Sequence, residues 1–120
     1  MPKISPTDFD SPMYAETKDL LGDGFSALLD RYFSGAQKHL AIIDQALEKS
    51  EVDTISGITH NIKSNSASFG FRRVANIAET MEQLCRQTPP APITEVSRLH
   101  TQLKEALLAI ESAYRGGELS

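Results

Sequence analysis

The 120-residue chain lacks the marks of several protein classes. It has one cysteine, which excludes an internal disulfide framework and a cysteine-rich zinc site. No apolar run approaches the roughly 18–20 residues needed to cross a bilayer, and residues 1–14 lack the basic-then-apolar order of a signal peptide. The formal net charge of -4 argues against binding to nucleic acid, because such binding requires a concentrated basic surface. We therefore expect a soluble cytoplasmic protein with no nucleic-acid or membrane partner.

The apolar residues that are present follow a helical pattern. The length and the 40% hydrophobic content suit one domain with its own core. Residues 1–13 hold three of the six prolines and predict a flexible N-terminal arm, which Phe9 or Met13 could pin to the bundle. Ser11 and Pro12 provide a cap and a first-turn proline for a short helix over about residues 14–21.

Four longer segments repeat apolar residues at steps of three and four, the pattern of an amphipathic helix. They cover about residues 24–49, 53–69, 72–87 and 93–115. Gly70 is suited to ending the second of them, and Pro89 and Pro90 cannot continue the third. The sequence therefore predicts an all-α, antiparallel four-helix bundle over residues 14–115, with the short first helix at one end and a C-terminal tail over residues 116–120.

His60 is predicted to point away from the core, about 140–160° around its helix from the apolar stripe. Its helical neighbours at i−4, i−3, i+4 and i+7 are all small: Ser56, Gly57, Ser64 and Ala67. Such residues leave room for another protein to approach the imidazole closely. Lys63, at i+3, is a cation that could neutralise a dianion carried on the ring.

Glu82 is predicted to lie opposite His60 on the next helix. The two helices turn at residues 70–71, so reflection of His60 about residue 71 gives Glu82. A carboxylate that accepts from Nδ1–H would leave the lone pair of Nε2 facing outward as a nucleophile. Taken alone, a glutamate in this position is more often a solvated charge on the flank of its helix.

Residues 60–66, His-Asn-Ile-Lys-Ser-Asn-Ser, precede Phe69-Gly70 and a helix that carries Met81-Glu82. This series resembles the histidine-containing phosphotransfer (HPt) domain of phosphorelays, and the likeness extends over about residues 14–115. The family pattern is His-x-Leu-Lys-Gly-Ser-Ser. The resemblance implies a bundle whose exposed histidine shuttles a phosphoryl group between receiver-domain aspartates of a hybrid sensor kinase and a response regulator.

The resemblance also implies roles for particular residues. His60 matches the phosphoacceptor, Lys63 the nearby lysine, and Glu82 the position that orients the imidazole. Ser64 replaces the usual glycine, and its hydroxymethyl group could either assist the phosphoryl group or narrow the approach. We expect a monomeric carrier without a cofactor of its own, since no nucleotide-binding motif occurs and a receiver would supply the Mg²⁺.

Several alternatives stay open. Reflection about the turn near residues 50–51 places Ala41 and Ile42 beside His60, where Ile42 could belong to a docking patch or pack against the first helix. His39 and His100 have no second histidine at i+3 or i+4, so no metal site is expected. An adaptor bundle without phosphotransfer, or a hydrolase centred on His60, would also fit the helical pattern.

Overall fold

The chain forms five α-helices joined by short connections, as described by a computed structural model over residues 5–119. The helices are α1 (Ser11–Leu21), α2 (Phe25–Glu48), α3 (Val52–Ser68), α4 (Arg72–Arg86) and α5 (Ile93–Arg115), with a 3-10 turn at Gly22–Gly24 between α1 and α2. Residues 5–119 contain no strand. The predicted all-α bundle with a short additional N-terminal helix is confirmed.

The core lies between α2, α3, α4 and α5. On α2, buried residues recur at three- and four-residue steps as Leu29, Phe33, Ala36, Leu40 and Ile43. One end of the core is a cluster of aromatic rings contributed by the N-terminal segment and by several helices: Phe9, Tyr14, Phe25, Tyr32, Phe33, Phe69, Phe71 and Tyr114. Within residues 5–119, every helix is too short or too polar to cross a bilayer.

The N-terminal segment differs from the flexible arm that its prolines predict. Phe9 is buried against the rings of Tyr14 and Phe71, which fixes residues 5–10 to the bundle. Helix α1 begins at Ser11, earlier than expected, because Asp10 caps it by accepting a hydrogen bond from the Met13 amide at 3.1 Å. Residues 1–4 of the expected arm lie outside the described residues.

The C-terminal tail also packs against the bundle. Helix α5 ends at Arg115, as the glycines at 116 and 117 predict. The Glu118 amide then donates to the Ala113 carbonyl at 2.8 Å, and Leu119 is buried in the core. Residues 116–119 are therefore a folded terminus, and Ser120 lies outside the described residues.

The turn between α3 and α4 determines how these two helices pair. Gly70 has a φ of +76°, which favours glycine, and a Cβ at this position would press into the carbonyl oxygen of Asp10. The flanking residues Phe69 and Phe71 both enter the aromatic core. The Phe71 amide donates to the Ser66 carbonyl at 2.9 Å. These contacts fix the antiparallel register of α3 and α4.

Candidate functional site

His60 lies in the middle of α3 with its imidazole directed towards solvent. Half of the side chain is exposed, at 50%, whereas Ile55, Thr59 and Ile62 of the same helix are buried. The predicted orientation away from the core is therefore found. An imidazole in this position is open to a partner while its helix is held by the core.

Glu82 of α4 lies against His60. Its Oε2 is 3.0 Å from Nδ1 of the imidazole, and only 6% of the Glu82 side chain is exposed. An ionised carboxylate can only accept hydrogen bonds, so Nδ1 carries the ring proton. In the neutral imidazole, Nε2 then holds the free lone pair. The α3–α4 register predicts this juxtaposition, and the structure contains it.

The Glu82 carboxylate is surrounded by positive charge. Nζ of Lys63 lies 3.3 Å from Oε1, and Nη1 of Arg86 lies 2.9 Å from Oε2. Burial raises the pKa of the Glu82 carboxyl, but the contact with Lys63 and the charges of Arg86, Lys63 and His60 together outweigh it. The net pKa lies below its usual range, so Glu82 is ionised at neutral pH and able to accept from Nδ1–H.

Arg86 is a member of this site that sequence reasoning missed. Its Nε donates a 2.7 Å hydrogen bond to Oγ of Ser56, in addition to the ion pair with Glu82. Arg86 lies one turn beyond Glu82, and Ser56 lies one turn before His60, so the antiparallel register brings the two together. The sequence offered one signal for this contact: Arg86 follows Glu82 by four residues, and Ser56 precedes His60 by four.

The prediction for Ser56, that it belongs to the open face of small residues around His60, is wrong. Its side chain is expected on the open surface around His60, yet it is buried, with 6% relative exposure. The reason is that the i−4 position faces α4, where Arg86 covers it. The other small residues of the predicted face, Gly57, Ser64 and Ala67, are exposed, and a Cβ at Gly57 would meet open space.

A shallow cleft of about 460 Å³ adjoins the imidazole on its α4 side. Its walls come from α3 and α4 and the residue after α4: His60, Lys63, Glu79, Glu82, Gln83, Arg86 and Gln87. Its walls carry two cations, Lys63 and Arg86, and two carboxylates, Glu79 and Glu82.

The α2 side of His60 presents apolar residues. His39 and Ile62 line one small cavity between α2 and α3, which agrees with the register expected from the turn between these helices. Ala41 is exposed, and Ile42 is 44% exposed, so α1 does not cover Ile42. The predicted position of these two residues therefore leaves them accessible to a partner.

A second, more apolar cleft, missed by sequence reasoning, lies further along α3. It has a volume of about 410 Å³ and includes Leu21, Leu28 and Phe69 in its walls, with Asn65 and Ser68 on the α3 side. Four exposed hydrophobic residues lie on α1 and the start of α2: Met13, Leu20, Leu21 and Leu28. The only hint in the sequence was the pair of leucines at the end of α1.

The other histidines lie elsewhere in the fold. His100 of α5 is buried, and its Nε2 is 2.9 Å from Oδ1 of Asp44 on α2. His39 is half-buried on α2. No group of three or more His, Cys, Asp or Glu residues within the described part of the chain is arranged to hold a metal ion. His60 is thus the histidine at which exposure, an orienting carboxylate and nearby cations coincide.

Comparison with known proteins agrees with this arrangement. The Hpt domain family matches residues 27–113 of the chain. The histidine-containing phosphotransfer protein B (HptB) from Pseudomonas aeruginosa PAO1 shares the fold, with a TM-score of 0.87 at 17% identity over 95% of this chain and 96% of that chain. No curated protein matches the chain in sequence. The chain therefore belongs to the Hpt domain family, the histidine-containing phosphotransfer domains of two-component signalling.

Proposed function

We propose that the protein is a phosphorelay intermediate whose phosphoacceptor is His60. It takes a phosphoryl group from the aspartate of one receiver domain and passes it to the aspartate of another, or returns it. The observation that carries this proposal is the 3.0 Å contact between Nδ1 of His60 and the buried Glu82 carboxylate. It leaves the exposed Nε2 with the lone pair that a nucleophile needs.

The transfer step needs one bond exchange. The Nε2 lone pair of His60 attacks the phosphorus of the aspartyl phosphate, and the bond from phosphorus to the carboxyl oxygen breaks as the aspartate leaves with its electron pair. The Nδ1 proton stays in place and the ring becomes cationic. Glu82 stabilises that charge through Nδ1–H, and the reverse step restores the neutral imidazole.

Lys63 contributes charge after the transfer. Its side chain is 32% exposed and lies one turn from His60 on the same helix. A flexible ammonium there can reach a phosphoryl group on Nε2 and neutralise part of its charge. Phosphoryl transfer also uses Mg²⁺, which we place in the acidic pocket of the receiver, because this chain is proposed to carry no cofactor of its own.

The proposed partners are the receiver domains of a hybrid sensor kinase and of a response regulator, and the protein acts as a cytoplasmic monomer. Gly57, Ser64 and Ala67 form the open face over which a receiver aspartate can approach Nε2. Ala41 and Ile42 extend this face across α2. The apolar cleft beyond Ser68 adds surface whose burial would favour association.

Incubation with a ³²P-phosphorylated receiver domain tests the proposal. We expect label on the protein in an acid-labile, alkali-stable bond, as a phosphoramidate requires. The variant His60→Gln should take up no label, whereas the control variants His39→Gln and His100→Gln should be labelled as the parent is. Label that persists in His60→Gln, or receiver binding by the parent without transfer, would overturn the proposal, and the second outcome would indicate an adaptor.

A further inference from the structure

Glu82 has two cationic neighbours that contact it in different ways. Lys63 pairs with Oε1 at 3.3 Å. Arg86 pairs with Oε2 at 2.9 Å, the same oxygen that accepts from Nδ1 of His60. The two cations therefore act on different ends of the carboxylate, and only the Arg86 contact lies on the oxygen that orients the imidazole.

The two cations also differ in how firmly they are held. Arg86 has a second anchor, because its Nε donates to the buried Oγ of Ser56 at 2.7 Å. Within residues 5–119, Lys63 pairs with Glu82 alone. An ammonium on a four-carbon stem moves readily between acceptors, whereas a guanidinium held at two of its nitrogens has a fixed orientation.

This difference matters when a phosphoryl group is on Nε2. If Lys63 turns towards that group, it leaves Oε1 of a carboxylate that is almost fully buried. A buried carboxylate that loses its counter-ion is strongly destabilised and tends to rotate or take up a proton. Either change would withdraw the acceptor from Nδ1–H at the stage when the ring is cationic.

We propose that Arg86 is a positioning residue, the resident counter-ion that holds the Glu82 carboxylate against Nδ1 and thereby frees Lys63 for the phosphoryl group. The hydrogen bond from Nε of Arg86 to Oγ of Ser56, here called the latch, fixes the orientation of the guanidinium. The role given to Lys63 rests on the proposed function. The claim that Arg86 holds the Glu82 carboxylate against Nδ1 of His60 concerns the unphosphorylated protein and can be tested separately.

The first test uses the unphosphorylated protein, so its outcome does not depend on phosphotransfer. Ring ¹⁵N chemical shifts report which nitrogen of His60 carries the proton. We expect Lys63→Ala to keep the Nδ1–H form, because Arg86 still holds Glu82. Arg86→Gln should shift a measurable fraction to the Nε2–H form, because Lys63 then draws the carboxylate towards itself. Equal shifts in both variants, or a shift in Lys63→Ala alone, would overturn the inference.

Two further variants separate the effect of the Arg86 charge from that of the latch. Arg86→Lys keeps the charge but cannot contact Glu82 and Ser56 together, so its fraction of the Nδ1–H form should lie between those of Arg86→Gln and the parent. Ser56→Ala removes the latch alone and should give a smaller shift than Arg86→Gln. Arg98→Gln, which removes an exposed arginine from α5, is the matched control and should leave the His60 spectrum unchanged. Full restoration by Arg86→Lys with no effect of Ser56→Ala would exclude the latch.

The second test measures transfer from a phosphorylated receiver. Arg86→Gln should lower the maximal transfer rate about tenfold, the loss expected for one charge-assisted contact, with the half-saturating receiver concentration unchanged. Arg98→Gln should match the parent. An increase in the half-saturating concentration at an unchanged maximal rate would mean that Arg86 contacts the receiver instead, and would overturn the positioning role.

Discussion

Nδ1 of His60 and Oε2 of Glu82 lie 3.0 Å apart, although 22 positions separate the two residues in the chain. They face each other because α3 and α4 form a hairpin whose turn at Gly70 has a defined length. The imidazole is thus oriented by a residue from the neighbouring helix, and its outward nitrogen is left to a partner. Disturbing either member of the pair should affect chemistry more than folding.

Removing the charge of Glu82 should make stability less dependent on pH. The pKa of this carboxyl is lowered in the folded protein, so its ion pairs stabilise the fold above the ordinary carboxyl pKa of about 4.3 and are lost as the pH falls through the lower folded value. We expect Glu82→Gln to reduce the free energy of unfolding by about 1–2 kcal/mol at pH 7. Urea unfolding at pH 7, 5 and 3.5 should show that difference shrinking at the lowest pH; a constant difference would contradict it.

Glu82→Ala should slow phosphotransfer less than Lys63→Ala does, because it removes the orienting partner and not the charge that meets the phosphoryl group. Transfer rates from one phosphorylated receiver, measured side by side for the two variants, check this order. If Glu82→Ala leaves both the transfer rate and the ring ¹⁵N shifts of His60 unchanged, the contact seen in the structure has no part in the chemistry.

Lys63→Ala should leave the fold intact and slow phosphotransfer roughly ten- to hundredfold, the worth of one charge-assisted hydrogen bond. Its side chain is partly exposed and contributes little to the core. Lys104→Ala is a matched control, because Lys104 also pairs with a carboxylate, Asp44 at 2.8 Å, but on a different pair of helices. A parental rate in Lys63→Ala would remove Lys63 from the mechanism.

Bulk beside His60 should block the receiver. Ser64 and Ala67 are exposed one and two turns beyond His60, so Ser64→Gln and Ala67→Gln should cost little stability, since glutamine is a good helix former. Both should weaken receiver binding and transfer sharply, whereas Ser97→Gln on the exposed surface of α5 should not. Parental transfer by both folded variants would mean that the receiver approaches over another surface.

The opposite change at the same position tests the serine hydroxyl. Ser64→Gly restores the residue that the family pattern has there, and we expect transfer at least as fast as in the parent. The added backbone freedom should lower the free energy of unfolding by about 0.5–1 kcal/mol. Slower transfer in this variant, with binding unchanged, would indicate that the hydroxyl assists the phosphoryl group.

His100 should make the bundle less stable as the pH falls below neutral. Burial lowers the pKa of this imidazole and outweighs the opposing effect of the hydrogen bond that its Nε2–H donates to Asp44. The unfolded chain therefore binds a proton first, so stability is complete above about pH 6.5 and declines as the pH falls towards the folded pKa. His100→Gln should flatten the profile of unfolding free energy between pH 7 and 5. Equal slopes for His100→Gln and the parent would contradict the assignment.

The periodicity of the sequence was sufficient to predict the helices and the pairing of His60 with Glu82. Each depends on local signals: apolar spacing for the helices, and Gly70 for the turn about which the register reflects. The role of Asp10 in fixing the N-terminal segment could not be predicted in this way, because its contacts are with Gly70 and Arg72, which are distant in sequence.

Arg86 and Ser56 illustrate the same limit within the site. An arginine at i+4 from a glutamate is a common surface pair, and nothing in the local pattern distinguishes it from one that reaches a neighbouring helix. Ser56 is small and close to His60, so it was expected in the open face. The α3–α4 register places Ser56 opposite Arg86, but its burial depends on the direction of the Arg86 side chain, which the sequence does not determine.

The number of residues in the turn at Gly70 determines whether Glu82 of α4 lies opposite His60 of α3. If the turn kept its shape, one residue inserted at the start of α4 would rotate the rest of that helix by about 100° and advance it by about 1.5 Å, which would move Glu82 away from the imidazole. Asp10 contacts both sides of this turn. Its amide donates to the Gly70 carbonyl at 2.7 Å, and its Oδ2 accepts from Nη2 of Arg72 at 3.0 Å. The segment before α1, remote from His60 in sequence, thus stabilises the turn that sets the position of Glu82 relative to His60.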